Sequence, residues 1–115
     1  MLSQVVIYDV QDLFFQARIE QISKSLGASV LQANSLGELN SILHSAPKTL
    51  VVLDLAKSKS ELTQISDLCS KLGSEILGYY SHVDTQTSIA AVNAGIRNIT
   101  PKSGLHKKLS NLMTS

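Results

Sequence analysis

The feature that most constrains this chain is the alternation of short apolar runs with longer segments of helical periodicity. Residues 4–9 (QVVIYD) and 49–54 (TLVVLD) are continuous apolar runs that end in an aspartate. Runs of this kind are typical of strands buried on both faces of a parallel sheet. Further strands are predicted at residues 28–33, 75–80 and 96–100.

The segments between these runs carry apolar residues at the spacing of an amphipathic helix. Helices are predicted at residues 12–26, 60–72 and 105–113, from the Ser35 cap to the stop signal Pro47, and from the Asp84 cap to Ala94. Five strands that alternate with helices imply right-handed parallel crossovers, with helices on both faces of the sheet. The predicted fold class is therefore α/β, a doubly wound five-stranded parallel sheet.

The length and charge of the chain limit the number of domains and the kinds of partner that we expect. The 115 residues fit one domain, spanning 1–115, and the formal net charge is +1 with scattered basic residues. The densest basic stretch, residues 106–108, is too short to predict a nucleic-acid site. No apolar run approaches the ~18 residues of a membrane span and no signal-peptide pattern opens the chain, so we expect a cytoplasmic protein with no membrane partner.

The chain has a single cysteine, Cys69. A lone cysteine forms neither an internal disulfide nor a cysteine-rich metal site. Because Cys69 lies on an apolar helical stripe, we predict that it is a small buried hydrophobic residue.

Three charged residues fall where strands are predicted to end. Asp9 ends the first strand, Asp54 ends the third, and Lys102 follows the fifth. Ligand sites of open α/β sheets lie at the carboxyl ends of the strands. Two nearby carboxylates repel unless a cation such as Mg²⁺ lies between them, and a lysine pairs with a carboxylate or a bound anion. Asp9 alone or Lys102 alone is interpreted as a solvated residue at a strand end, but the three residues together favour a site for phosphoryl transfer onto a carboxylate.

These landmarks resemble the receiver domain of bacterial response regulators. The run ending at Asp54 looks like the strand that carries the family's phosphoacceptor aspartate, and the run ending at Asp9 looks like the strand of its acidic pair. Residues 91–102 (AVNAGIRNITPK) are similar to the family's A-x-x-A-G-A-x-x-(apolar)-x-x-K segment. The resemblance covers essentially the whole chain.

The resemblance implies a flavodoxin-like sheet of strand order 2-1-3-4-5 and a signalling role rather than an enzymatic one. It implies that Asp54 accepts phosphate, that Lys102 holds it, and that Asp9 and Asp54 bind Mg²⁺. The implied partners are a sensor histidine kinase or phosphotransfer protein and a downstream protein target, with the chain a monomer or weak homodimer.

The sequence also departs from the family's pattern. Val10 stands where the second acid of the pair is usual, so Mg²⁺ binding is expected to be weak or absent. Tyr80, with Ser81 next to it, stands where a small hydroxyl residue ends the fourth strand. Ile99 replaces an aromatic switch residue, and Ser103 replaces the proline that usually follows the lysine corresponding to Lys102.

Two functions fit these features, and a third is disfavoured. The first is a stand-alone phosphoacceptor switch of a two-component phosphorelay. The second is a pseudo-receiver, a protein-interaction module that works without phosphorylation. A small enzyme or nucleotide binder is disfavoured because the DVQDLF turn after the first strand has no glycine-rich phosphate cradle.

Overall fold

The computed structural model describes residues 2–46 and 48–114. Its parallel strands are β1 (Gln4–Tyr8), β2 (Ser29–Ala33), β3 (Thr49–Asp54), β4 (Glu75–Tyr80) and β5 (Asn98–Pro101). Its α-helices are α1 (Leu13–Ser25), α2 (Leu36–Ser45), α3 (Leu62–Leu72), α4 (Thr85–Asn93) and α5 (Leu105–Thr114), with 3-10 turns at Lys59–Glu61 and Lys102–Gly104. The strands form one sheet in the order β2-β1-β3-β4-β5, which confirms the predicted fold class and strand order.

The predicted helix starts are confirmed by side-chain caps. Asp12 Oδ1 accepts hydrogen bonds from the backbone N–H groups of Phe14 and Phe15, at 2.9 and 3.3 Å. Ser35 Oγ accepts from the Glu38 N–H, and Asp84 Oδ1 accepts from the Thr87 N–H. Each cap satisfies donors that the first helical turn leaves unpaired. The predicted stop signal Pro47 lies outside the described residues.

Two predicted boundaries are wrong by a few residues. The fifth strand begins at Asn98 rather than residue 96, because the Ile96 N–H donates back to the Ala91 carbonyl and closes the end of α4. Gly95 makes this reversal possible with its φ of +95°, in the left-handed region. Residues before Leu62, predicted to be α-helical, instead form the 3-10 turn that leads into α3.

The sheet separates two apolar layers. On one face, Val51 and Leu53 pack with Leu39 of α2 and Ile65 of α3. Cys69 lies in this layer with 1 % of its surface exposed, as predicted, and burial raises the pKa of its thiol to about 12.

On the other face, Leu50 and Val52 pack with Ile19 of α1 and Leu109 of α5. Helices therefore cover both faces of the sheet. A polar site is expected at the ends of the strands. No helix in the described part of the chain is both long and apolar enough to cross a membrane.

Candidate functional site at the carboxyl edge of the sheet

Asp9 and Asp54 follow neighbouring strands at the same edge of the sheet. Tyr8 of β1 is paired with Leu53 of β3, so Asp9 and Asp54 are the next residues along two adjacent strands. Adjacent strands lie about 4.8 Å apart, which brings the two aspartates side by side. Both residues are half-buried. Asp9 has a φ of +56°, an unusual left-handed conformation that turns the chain away from β1 toward α1.

The Asp54 carboxylate is held by the backbone that follows it. Its Oδ1 accepts hydrogen bonds from the N–H groups of Ala56 and Lys57, at 3.1 and 3.4 Å. Between Asp54 and Ala56, the Leu55 N–H donates a hydrogen bond to the Tyr79 carbonyl at 3.0 Å, which anchors this part of the chain to β4. These contacts fix one carboxylate oxygen; among the described residues no side-chain hydrogen bond engages Asp54 Oδ2 or the Asp9 carboxylate.

The Leu55 side chain sits on Gly78 of β4. Leu55 is fully buried, and a Cβ placed on Gly78 would lie 2.6 Å from Leu55 Cγ. Only a residue without a side chain leaves this room. Gly78 therefore leaves room for the side chain of Leu55, which directly follows Asp54.

Lys102 lies at the same edge, after β5, and its ammonium contacts an aromatic ring. Lys102 Nζ is 5.7 Å from the centre of the Phe15 ring, within the range of a cation–π interaction. The Phe15 ring stacks on Tyr79, with 5.2 Å between ring centres and 28° between planes. Phe15 and Tyr79 form the aromatic column of the site. In this arrangement the ammonium contacts the column, and its predicted role toward an anion on Asp54 stays a prediction.

Tyr79 is the site residue that sequence reasoning missed. Its Cα is paired with that of Asp54, and strand alternation places both side chains on the face of Leu50 and Val52. It is fully buried, and its hydroxyl has no hydrogen-bond partner among the described residues. Desolvation raises the pKa of Tyr79, and the charges of Asp54 and Asp12 raise it further.

Tyr80 and Ser81, the predicted accessory residues, are placed differently. Tyr80 is half-buried and, like Ile99, packs against the opposite apolar layer. Ser81 follows β4, and its carbonyl accepts a hydrogen bond from the Asp84 N–H. Neither residue has a described contact with Asp54.

The donor set fits a minimal Mg²⁺ site. Mg²⁺ is commonly held by one or two carboxylates with water completing its octahedron, and the free oxygens of Asp9 and Asp54 match that need. Val10 adds no ligand, since it is 2 % exposed and packs in the apolar layer beneath α1. Asp12 is engaged in capping α1. Within residues 2–46 and 48–114 no group of three or more His, Cys, Asp or Glu side chains is placed to hold a metal ion.

A separate cleft of about 430 Å³ opens at the opposite edge of the sheet, beside Asp67, Glu75 and Arg97. It lies at the amino ends of β4 and β5, where parallel α/β sheets rarely bind ligands. We therefore assign the candidate site to the carboxyl edge.

Comparison with solved structures identifies the fold. The sequence matches no protein-family model and no curated protein. The structure is similar to that of a response regulator from Thermotoga maritima, with a TM-score of 0.78, 18% identity and full coverage of both chains. It is also similar to the signal receiver domain of a Bacteroides fragilis response regulator, with a TM-score of 0.76, 16% identity and coverage of 100% and 99%.

A third similar structure is a CheY-like protein (tadZ) from Pseudomonas aeruginosa, with a TM-score of 0.74, 20% identity and coverage of 97% and 98%. The chain thus has the fold of response regulator receiver domains over its whole described length. At these identities the likeness is one of fold.

Proposed function

We propose that this chain is a receiver-type signalling domain of a two-component phosphorelay, which accepts a phosphoryl group on Asp54 and signals through protein–protein contacts. The observation that carries the proposal is the position of Asp54. It ends the central strand of a receiver fold, beside Asp9, with Oδ1 held by two backbone N–H groups.

The chemistry follows from these groups. A free oxygen of the Asp54 carboxylate attacks the phosphorus of the donor, a P–O bond forms, and the leaving group departs with the electron pair of the broken bond. Asp9 and Asp54 would hold Mg²⁺, which when bound neutralises charge on the phosphoryl oxygens.

Lys102 completes the site by supplying positive charge. Its four-carbon stem is flexible, so the ammonium can exchange its contact with Phe15 for one with a phosphoryl oxygen. The donor proteins that suit this chemistry are a sensor histidine kinase or a phosphotransfer protein.

The partner-binding face we propose is built on α4, β5 and α5. Val83, Ile89 and Val92 in and before α4 are 75 %, 58 % and 59 % exposed. Exposed apolar side chains on one helix and in the loop before it are typical of interaction surfaces.

The first experiment is incubation with acetyl phosphate and Mg²⁺, followed by mass spectrometry. We expect one added phosphoryl group, absent in Asp54→Asn and retained in the control Asp67→Asn on α3. Asparagine keeps the Oδ1 acceptor for Ala56 and Lys57 and removes one of two crowded carboxylates, so the variant should fold with equal or slightly greater stability. An unlabelled wild-type protein would refute the phosphoacceptor function.

The second candidate is a pseudo-receiver that binds partners without phosphorylation. Burial of Val10 and the contact of Lys102 with Phe15 favour it, because each leaves the site short of a group that the phosphoacceptor reaction uses. Partner capture with unmodified, phosphorylated and Asp54→Asn protein separates the two functions. Equal capture by all three supports the pseudo-receiver, and a large phosphate-dependent gain supports the switch.

A further inference from the structure

The two edges of the sheet differ in how they are protected against pairing with another strand. The edge strand β5 is short, is preceded by Arg97, ends in Pro101 and is followed by Lys102. Short length, proline and charge are the features that keep an edge strand from pairing. The other edge strand, β2, has the sequence SVLQA, with no charge and no proline, and pairs with β1 in unbroken register. The edge at β2 is therefore the one that is open to a further strand.

The backbone groups on the open side of β2 belong to Val30 and Gln32. The Ser29 N–H donates to the Ser3 carbonyl, on the β1 side, at 3.1 Å. Because backbone groups alternate in direction along a strand, those of Leu31 also face β1, and those of Val30 and Gln32 face outward. In the part of the chain that the structure describes, β2 has no strand on this outer side and no loop hydrogen bond engages the outward groups.

Leu31, at the middle of this edge, has an apolar side chain that is largely uncovered. It is 43 % exposed, whereas Ala33 on the same face of β2 and Val6, its partner on β1, are fully buried. The helices on that face therefore leave the outer flank of β2 open to solvent. An exposed leucine beside unpaired backbone groups is typical of an edge strand that accepts another strand.

We propose that β2 pairs antiparallel with β2 of a second copy of this chain, which joins the two sheets into one continuous sheet. The outward groups lie symmetrically about Leu31, so a two-fold axis at Leu31 lets Val30 of each copy exchange hydrogen bonds with Gln32 of the other. The two Leu31 side chains then lie directly opposite each other, at the non-hydrogen-bonded position where side chains are closest. This pairing needs no phosphoryl group on Asp54 and uses a surface separate from α4, β5 and α5.

A second copy fits this edge because the edge is complementary to itself. The uncharged strand brings no like charges together, and Leu31 meets an equally exposed apolar side chain. Pairing at β2 uses the open edge of both copies, and the protected β5 edges stop further growth, so the assembly closes as a dimer. A five-residue strand buries less than the ~1,200 Å² of a stable interface, so the dimer forms at high protein concentration.

Matched cysteine variants test the register of this pairing. Leu31 and Ser29 are both exposed positions of β2. In the dimer the two Leu31 Cα atoms lie about 4.5 Å apart, within disulfide range, whereas the two Ser29 Cα atoms are separated by more than about 13 Å. Mild oxidation should therefore cross-link Leu31→Cys into a covalent dimer and leave Ser29→Cys monomeric on a non-reducing gel. The native Cys69 is buried and does not compete.

The protein without cysteine substitutions gives a second readout. Sedimentation over a concentration series should show a dimer for the wild type and its loss in Leu31→Lys, which places two ammonium groups opposite each other. Val92→Lys, the matched change at a 59 % exposed position of α4, should dimerise like the wild type. Amide exchange of Val30 and Gln32 should slow as the concentration rises, while that of Leu31, already bonded to β1, should not change.

Four results would overturn the proposal. One is a wild type that stays monomeric at its highest soluble concentration. Another is a dimer that Val92→Lys disrupts and Leu31→Lys leaves intact, which places the interface on α4. Equal cross-linking of Leu31→Cys and Ser29→Cys would contradict the antiparallel register. Equal protection of the Val30 and Gln32 amides by a synthetic peptide of residues 28–34 and by its scrambled form would show that the edge accepts any strand rather than a second copy in particular.

Discussion

The Tyr8 hydroxyl donates a hydrogen bond of 2.8 Å to Glu61 Oε1, which ties β1 to the 3-10 turn that follows Asp54. Tyr8 is 3 % exposed, and desolvation together with Glu61 raises its pKa, so the phenol remains a neutral donor to a carboxylate. The segment that follows Asp54 is therefore anchored to the neighbouring strand β1.

Removal of this bond should loosen the turn. We expect Tyr8→Phe to lower the free energy of unfolding by about 1 kcal/mol, the usual contribution of one hydrogen bond. Amide hydrogen exchange at residues 56–61 should become faster. Urea unfolding and exchange measured by mass spectrometry check both effects, with Tyr80→Phe as the control. Unchanged exchange in the turn would show that the Tyr8–Glu61 hydrogen bond does not anchor it.

The left-handed conformation of Asp9 predicts an unusual order of stabilities. Asp9→Gly should be more stable than Asp9→Ala by about 1 kcal/mol, because glycine adopts a positive φ without a steric cost. In an ordinary strand end the order would be the reverse. Chemical denaturation gives the free energy of unfolding of both variants. Equal values for Asp9→Ala and Asp9→Gly would contradict the role of backbone conformation.

Two glycine-to-alanine substitutions should change the stability of the protein in opposite directions. Gly78→Ala pushes a methyl group into Leu55 and should destabilise the protein by about 1–3 kcal/mol, the range for an overpacked core. Gly37→Ala on α2 meets only Ser35 Oγ at 3.8 Å and should stabilise the helix by about 0.5–1 kcal/mol. Thermal unfolding monitored by circular dichroism measures both. A neutral Gly78→Ala would mean that Leu55 can move without cost.

The Asp84 cap should make stability depend on pH on the acid side. Hydrogen bonds from the Thr87 hydroxyl and backbone N–H, with a smaller effect of Lys59, lower the pKa of Asp84. A lowered folded-state pKa means that the stabilisation is complete above the ordinary carboxyl pKa and is lost as the pH falls from there through the folded-state pKa. Asp84→Asn keeps the capping oxygen and removes this titration.

The difference in unfolding free energy between wild type and Asp84→Asn should therefore shrink as the pH is lowered below about 4. Urea titrations at a series of acid pH values measure it. Asp67→Asn, an exposed position on α3, serves as the matched control. A difference that is constant with pH would argue against the Thr87 contacts as its source.

Val10→Asp should tighten Mg²⁺ binding while it destabilises the metal-free protein. Part of the cost is repulsion between neighbouring carboxylates. The other part is burial of a charge, since Val10 is 2 % exposed in an apolar layer. Added Mg²⁺ should raise the melting temperature of Val10→Asp more than that of wild type, because a ligand stabilises in proportion to its occupancy of the folded state. Equal Mg²⁺ shifts in the two proteins would show that Val10 is not the deficient ligand position.

The strands were predictable because their signals are local, whereas their order was predicted from the resemblance to receiver domains. β3 and β4 have the predicted bounds, since each is a dense apolar run closed by polar residues. Ser35 and Asp84 cap the helices they were predicted to cap, and Asp12 caps the helix that was predicted to begin at residue 12. These features depend on residues within a few positions of one another.

The composition of the site was less predictable because it depends on register. Which of two adjacent tyrosines faces Asp54 follows from the pairing of β3 with β4, and a shift by one residue would exchange them. The Tyr8–Glu61 bond joins residues 53 positions apart, and the contact of Lys102 with Phe15 joins the end of β5 to α1. No periodicity in the sequence encodes such contacts.

The burial of Cys69 gives the chain a native reporter of its own opening. A covered thiol with a pKa near 12 has almost no reactive thiolate at neutral pH, so a thiol reagent reaches it only when α3 separates from the sheet. It is the single cysteine of the sequence. The rate of its modification under native conditions therefore measures how often this layer opens, with no engineered probe and no denaturant.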